Sequence, residues 1–233
     1  MKRLIRKWSI LLALSCCVAA SHTQAVAQNA ASRPEEIEWT WEVRPAHVDP
    51  KLPNVLLVGD SITRNYFPEV QRQLADAANV YLFASSTSVG DPRLPHQLDE
   101  FASMENVPFA VVHFNNGMHG WAYSEAEYKN AFPALLHELQ TIAPNASLIW
   151  ATTTPVRAEK SPGPTNARID ARNSVAQSFV AKSGIPIDDQ HELMAQHKDQ
   201  YEDDVHFNPT GASIQGKQVA EFVRATLRKM AGR

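Results

Sequence analysis

From Asn54 onward the chain alternates short apolar runs with longer segments in which apolar residues recur every three or four positions. Short runs of this kind are the mark of strands and the longer ones of amphipathic helices, so the alternation predicts βα units and a largely parallel sheet. Strands are expected near 54–58, 80–84, 108–114, 147–152 and 185–187, and helices near 66–78, 94–104, 124–142, 166–183 and 209–230. Ser124 followed three residues later by Glu127 is a capping-box signature, and Pro209 sits where a first helical turn tolerates proline. The fold class is therefore α/β. In open sheets of this class, sites form beyond the carboxyl ends of the strands. Residues 28–53, with Pro34, Pro45, Pro50 and Pro53 around Trp39-Thr40-Trp41, read as an arm laid on the domain, its tryptophans serving to pack.

The first 27 residues follow a different pattern. Lys2, Arg3, Arg6 and Lys7 precede an apolar stretch from 10 to 20 and then Ala25-Val26-Ala27, the layout of a signal peptide cleaved near Ala27/Gln28. That stretch falls short of the roughly 20 residues a membrane span needs, so no transmembrane anchor is expected in the mature chain. Secretion or export to a periplasm follows as an expectation. Cys16 and Cys17 are the chain's only cysteines and both lie in this segment, which leaves the mature chain no disulfide, thiolate nucleophile or cysteine metal site. Ala13-Leu14-Ser15-Cys16 is a poor context for lipidation. Cleavage would remove four basic side chains, taking 22 Lys and Arg to 18 against 25 Asp and Glu and the formal charge from -3 to -7. Such an acidic balance argues against a nucleic-acid partner. No linker or repeat divides what remains, so residues 54–233 are expected to form one catalytic domain around one core.

Two motifs carry chemistry. Gly59-Asp60-Ser61-Ile62 follows directly on Val55-Leu56-Leu57-Val58, so the first strand ends by thrusting a serine hydroxyl above the sheet. A serine is a weak nucleophile until a neighbouring base takes its proton. Asp203-Asp204-Val205-His206, in the loop before the last helix, offers that base and a carboxylate to orient it. Either Asp203 or Asp204 could fill the carboxylate role, and His113 and His119 are rival bases by residue type alone.

The pairing of Gly-Asp-Ser with Asp-x-x-His resembles the SGNH hydrolases, the GDSL esterase and lipase family, over about residues 53–228. The resemblance implies a flavodoxin-like, three-layer αβα sandwich with a mainly parallel sheet of about five strands. It implies Ser61 as nucleophile, His206 as base and Asp203, by its spacing, as the third member. It also implies an oxyanion hole built from the Gly90 backbone N–H within Val89-Gly90-Asp91, the Ser61 backbone N–H and an asparagine. Where the family usually reads Gly-x-Asn-Asp, this chain reads Phe114-Asn115-Asn116-Gly117, which makes Asn116 the expected donor and Asn115 the alternative. Family members cleave lipid, thioester, aryl and carbohydrate O-acetyl esters. Export, the open loop from His113 to Trp121 and the lack of an apolar lid favour an acetylated sugar, with a small-molecule or polysaccharide ester as partner and no cofactor. Asn115, Trp121 and Arg157 are candidate substrate contacts, Trp121 as a ring-stacking platform or a core anchor, Arg157 as a contact for a polar group or a partner of a nearby carboxylate. Asp170, Arg172 and Asn173 resemble recurrent helix residues of relatives without a job to assign them. A zinc site from His113, His119 and a carboxylate lacks the H-E-x-x-H pattern. An acyltransferase, or a carbohydrate-binding relative without catalysis, remains open. The sequence leaves the oligomeric state open as well.

Overall fold

The computed structural model describes residues 31–232, so the expected signal segment, with both cysteines, lies outside the described residues. Six strands form one sheet: β1 (Thr40–Val43), β2 (Asn54–Gly59), β3 (Asn79–Ser85), β4 (Phe109–Phe114), β5 (Ser147–Ala151) and β6 (Ile187–Asp188). Their spatial order is β1-β3-β2-β4-β5-β6. Every pairing is parallel except that of β1 with β3. The helices are α1 (Ser61–Leu74), α2 (Arg93–Glu105), α3 (Glu125–Ile142), α4 (Asn166–Lys182), α5 (Gln190–Ala195) and α6 (Pro209–Ala231).

Strand β2 shows why the sequence reads as a continuous apolar run rather than an alternation. Successive side chains of a strand point to opposite faces, and here both faces are covered. Val55 and Leu57 pack with Ile62, Tyr66, Val70 and Leu74 of α1 and with Val219 and Val223 of α6. Leu56 and Val58 pack on the other side with Leu94, Leu98 and Phe101 of α2, Phe132 and Leu139 of α3 and Val180 of α4. This is the expected αβα sandwich. The chain leaves β2 toward β3 on one side and later returns to place β4 on the other. A crevice opens at such a switch of direction, beyond the carboxyl end of β2.

Three elements depart from the sequence expectation. Helix α1 begins at Ser61 rather than near 66, because the buried Asp60 caps it, its Oδ1 accepting from the Ile62 N–H at 2.9 Å. The nucleophile candidate is thereby the first helical residue. Part of the arm is also more than a strap: β1 adds an antiparallel edge strand, giving six strands instead of about five. Helix α5, six residues long, fell in a stretch too short to show periodicity. The capping box at Ser124 and Glu127 forms as expected, and Asn208 caps α6 just before Pro209.

Candidate active site

Ser61 Oγ lies 2.7 Å from His206 Nε2, and His206 Nδ1 lies 2.8 Å from Asp203 Oδ2. The loop that presents them closes on itself: Asp203 Oδ1 accepts from the Val205 and His206 backbone N–H groups, both at 2.7 Å, and Glu202 N–H donates to the His206 carbonyl at 2.9 Å. Tyr201 and Phe207 pair as an isolated bridge and stack their rings at 4.5 Å, and the Tyr201 hydroxyl donates to the Pro155 carbonyl. Burial alone would raise the Asp203 carboxyl. The His206 and Val205 N–H groups and the imidazole outweigh it and hold the group down at about 2. Asp203 is therefore an anion throughout the neutral range. Asp204 turns away, toward Arg157 at 3.5 Å and Lys160 at 3.6 Å. With the Nδ1 proton given to Asp203, Nε2 is left to take the Ser61 proton.

The opposite wall is built from the loops after β3 and β4. Gly90 is buried, and a Cβ there would stand 2.6 Å from Cγ of Tyr123, so no larger residue fits without displacing that ring. Asn116 Oδ1 accepts from the Val89 N–H at 2.8 Å, and its Nδ2 donates to the Thr87 carbonyl at 3.0 Å, which leaves one amide hydrogen to spare beside Gly90. Asn115 has none to spare. Its Nδ2 donates to the Ala151 carbonyl at 2.7 Å and to Thr153 Oγ1 at 3.0 Å, which turns the side chain toward β5.

Three of the expected substrate contacts thus change role. Asn115 is a buried tie between strands rather than a substrate contact, since both its amide hydrogens are spent inside the protein. The indole of Trp121 is occupied by the guanidinium groups of Arg172 at 4.1 Å and Arg168 at 5.0 Å from the ring centroid, so it is not an open stacking platform. Arg157 is paired with Asp204, the carboxylate alternative of the sequence reading. The rival histidines are also engaged. His113, wholly buried, bonds Asp188 at 2.9 Å, while His119 bonds Glu35 at 3.0 Å, so the two share no carboxylate. Among the described residues no group of three or more His, Cys, Asp or Glu side chains converges to hold a metal ion.

The residues without a job acquire one. Arg172, 1 % exposed, sends Nη1 to the carbonyls of Gly117 and His119 at 3.0 and 2.6 Å and Nη2 to those of Gly120 and Tyr123 at 3.0 and 3.3 Å. Burial pulls this guanidinium down to about 10, still cationic at neutral pH. Asn173 pins the end of β5, donating to the Thr153 carbonyl and accepting from its N–H, and Asp170 pairs with His191. The sequence carried no sign of Glu35. From the arm it accepts the Gly120 N–H at 2.9 Å and holds His119 Nδ1, so the asparagine loop is clamped from above. The Arg33 N–H bonds the Tyr123 hydroxyl at 2.7 Å and extends the same clamp.

A doubly wound αβα sandwich with serine, histidine and aspartate in hydrogen-bond sequence beyond its central strand is the arrangement of the SGNH hydrolases. The sequence model of the GDSL-like lipase/acylhydrolase family matches residues 57–214, and the chain belongs to that family of ester hydrolases. The same fold recurs in solved structures. A GDSL-like lipase from Bacteroides thetaiotaomicron superimposes with a TM-score of 0.59 at 16% identity, the match covering 78% of this chain and 92% of that one. An acetyl xylan esterase gives 0.60 at 14% identity over 73% and 99% of the two chains. A carbohydrate acetylesterase from Sinorhizobium meliloti gives 0.58 at 14% identity over 74% and 99%. No curated protein matches the chain.

Proposed function

We propose that this hydrolase is a serine esterase that removes an O-acetyl group from a carbohydrate through a Ser61 acyl-enzyme, and that it is exported and begins at Gln28 once residues 1–27 are cleaved. The observation that carries the catalytic part is the 2.7 Å contact of Ser61 Oγ with His206 Nε2, the imidazole being held from behind by Asp203. His206 takes the Ser61 proton as Oγ attacks the ester carbonyl, and Asp203 stabilises the imidazolium that results. The negative charge that develops on the carbonyl oxygen is met by the N–H groups of Gly90 and Ser61 and by the free amide hydrogen of Asn116. Each such donor is worth about 3 kcal/mol in the transition state. The imidazolium then protonates the departing alcohol, and water, deprotonated by the same imidazole, cleaves the acyl-enzyme.

The choice of a sugar acetate rests on the two structural neighbours described as an acetyl xylan esterase and a carbohydrate acetylesterase. Acetate release from a panel of acetylated polysaccharides, set against simple aryl acetates, tests this choice. Release from at least one polysaccharide by the wild type and from none by Ser61→Ala is expected. Cleavage of aryl or lipid esters alone would remove the carbohydrate part of the reading.

A further inference from the structure

Arg64 stands one helical turn beyond Ser61 on α1, its backbone N–H bonded to the Asp60 carbonyl at 2.9 Å. Its guanidinium lies over two indoles of the arm, 5.5 Å from the Trp39 centroid and 5.0 Å from that of Trp41. Trp39 in turn meets His119 edge-on at 5.9 Å. A chain of contacts therefore runs from the asparagine loop through Trp39 and Arg64, one turn of α1 from Ser61, to Trp41, which is 51 % exposed.

What distinguishes Arg64 is that no carboxylate meets it among the described residues, although the chain is acidic overall. Four acids of the neighbouring segments have contacts of their own. Glu35 holds His119 and Gly120, and Glu38 holds Arg93 and the Ser86 hydroxyl. Glu42, on β1 next to Trp41, is on the opposite face of that strand, near Glu100 and Glu105. Asp60 turns its Oδ1 to the Ile62 N–H. Contact with indoles does not use up the N–H donors of a guanidinium, the fork that matches a carboxylate, and no hydrogen bond to the Arg64 side chain is found among the described residues. An arginine held in this way is pre-oriented, so little side-chain entropy is lost when an anion docks.

We infer that Arg64, carried on Trp39 and Trp41, is a subsite for a carboxylate on the alcohol portion of the ester, which makes the substrate a uronic-acid-bearing saccharide. The inference rests on the esterase reading above and narrows it. Trp41 stays half exposed with the Arg64 guanidinium on it, so the part of the indole outside that contact is open to a sugar ring next to the carboxylate, a common use of tryptophan at sites with one apolar and one wet side.

The test uses hydrolysis of 4-nitrophenyl acetate as reporter, with oligogalacturonate and neutral xylo-oligosaccharides of equal length as competitors. Oligogalacturonate is expected to inhibit the wild type at least about tenfold more strongly than the neutral oligomers, an advantage that shrinks as salt is raised. Arg64→Ala should bring the ratio of the two inhibition constants close to one, and Arg64→Lys should recover only part of it, because an ammonium cannot reproduce the fork. Equal inhibition by the two oligomers in the wild type, or an unchanged ratio in Arg64→Ala, would overturn the subsite while leaving the esterase reading in place. Full reporter activity in Ser61→Ala would instead overturn the esterase reading. Because the readout is a ratio measured on one protein, partial misfolding of a variant lowers both arms alike and does not mimic the expected result.

Discussion

The two walls of the cleft are built on opposite plans. On the acid–base side, Asp203 and His206 are three residues apart, and the hydrogen bonds that orient the two of them span only a few residues, with the loop as a whole tied to residues 155–157 through the Tyr201 hydroxyl and the Asp204 carbonyl. Their side chains are 57 % and 31 % exposed. On the oxyanion side, Asn116 and Arg172 are 4 % and 1 % exposed, and the bonds that hold the wall link positions far apart in sequence: Asn116 to Val89, Arg172 to Gly117, Glu35 to Gly120. A short, self-closed loop can present a proton shuttle to solvent at little cost. Donors that must already be in place when charge develops need a rigid, water-excluded setting. Breaking the first wall should therefore change chemistry with little effect on stability, whereas breaking the second should change both.

The largest effect is expected at the nucleophile. Ser61→Ala and His206→Ala should each lower kcat for an aryl acetate by about 10⁴–10⁶, and the double variant should be little worse than either, because the groups act as a unit. Thermal midpoints should stay close to the wild type, since neither side chain supports the core. A double variant that loses the product of the two single effects would mean that Ser61 and His206 do not work in one step.

Next in size is the asparagine pair. Asn116→Ala should cost about 10²–10³ in kcat with little change in KM, since the lost hydrogen bond forms mainly in the transition state. Asn115→Ala should keep most of its activity and instead lose about 1–2 kcal/mol of stability, because the Ala151 carbonyl and the Thr153 hydroxyl lose their donor. Kinetics and thermal melts on the two proteins settle the assignment, and the reverse pattern would place the donor at Asn115.

The same contrast decides what the sequence could reveal. Strand β2, the Gly-Asp-Ser turn and Asp203-x-x-His206 were legible because their patterns are local: an apolar run, a Gly-x-Ser at its end and an i,i+3 pair. Asn116 was reached only through the family motif and with a register ambiguity, and the spare amide hydrogen of Asn116, against none on Asn115, is what supports the proposed choice. Trp121 was left between an open platform and a core anchor because nothing near it in sequence announces Arg168 and Arg172, more than 40 residues away. Glu35 was invisible for the same reason. The arm looked like a packed tail because a four-residue edge strand bounded by prolines carries almost no periodic signal.

Arg172→Met tests the buried side of the comparison by removing a guanidinium that serves four loop carbonyls. Groups that lose a buried charged partner are left with the desolvation cost, so destabilisation by about 3 kcal/mol is expected. Turnover should fall even where the protein is folded, because the loop from Gly117 to Tyr123 carries the Tyr123 ring against Gly90. Denaturant melts paired with kcat below the transition would show it. A fully stable, slower enzyme would mean that Arg172 acts on substrate rather than on the loop.

The smallest effect belongs to the clamp from the arm. Burial opposes the charged form of both Glu35 and His119. Their mutual hydrogen bond nevertheless leaves Glu35 below its ordinary 4.5 and His119 above its ordinary 6.5, with Arg172 also favouring the carboxylate and Asp60 and Glu38 the imidazolium. A depressed carboxyl contributes stability above its unfolded value that is lost as pH falls through the folded one. A raised imidazole contributes below its unfolded value and loses that contribution as pH rises through the folded one. The pair should therefore stabilise most between about pH 4.5 and 6.5, the two unfolded values, and fade on either side. Glu35→Gln keeps an acceptor for the Gly120 N–H but removes the charge, so the difference in thermal midpoint between wild type and variant should peak inside that window. A difference that instead grows steadily toward alkaline pH would assign the effect to groups other than this pair.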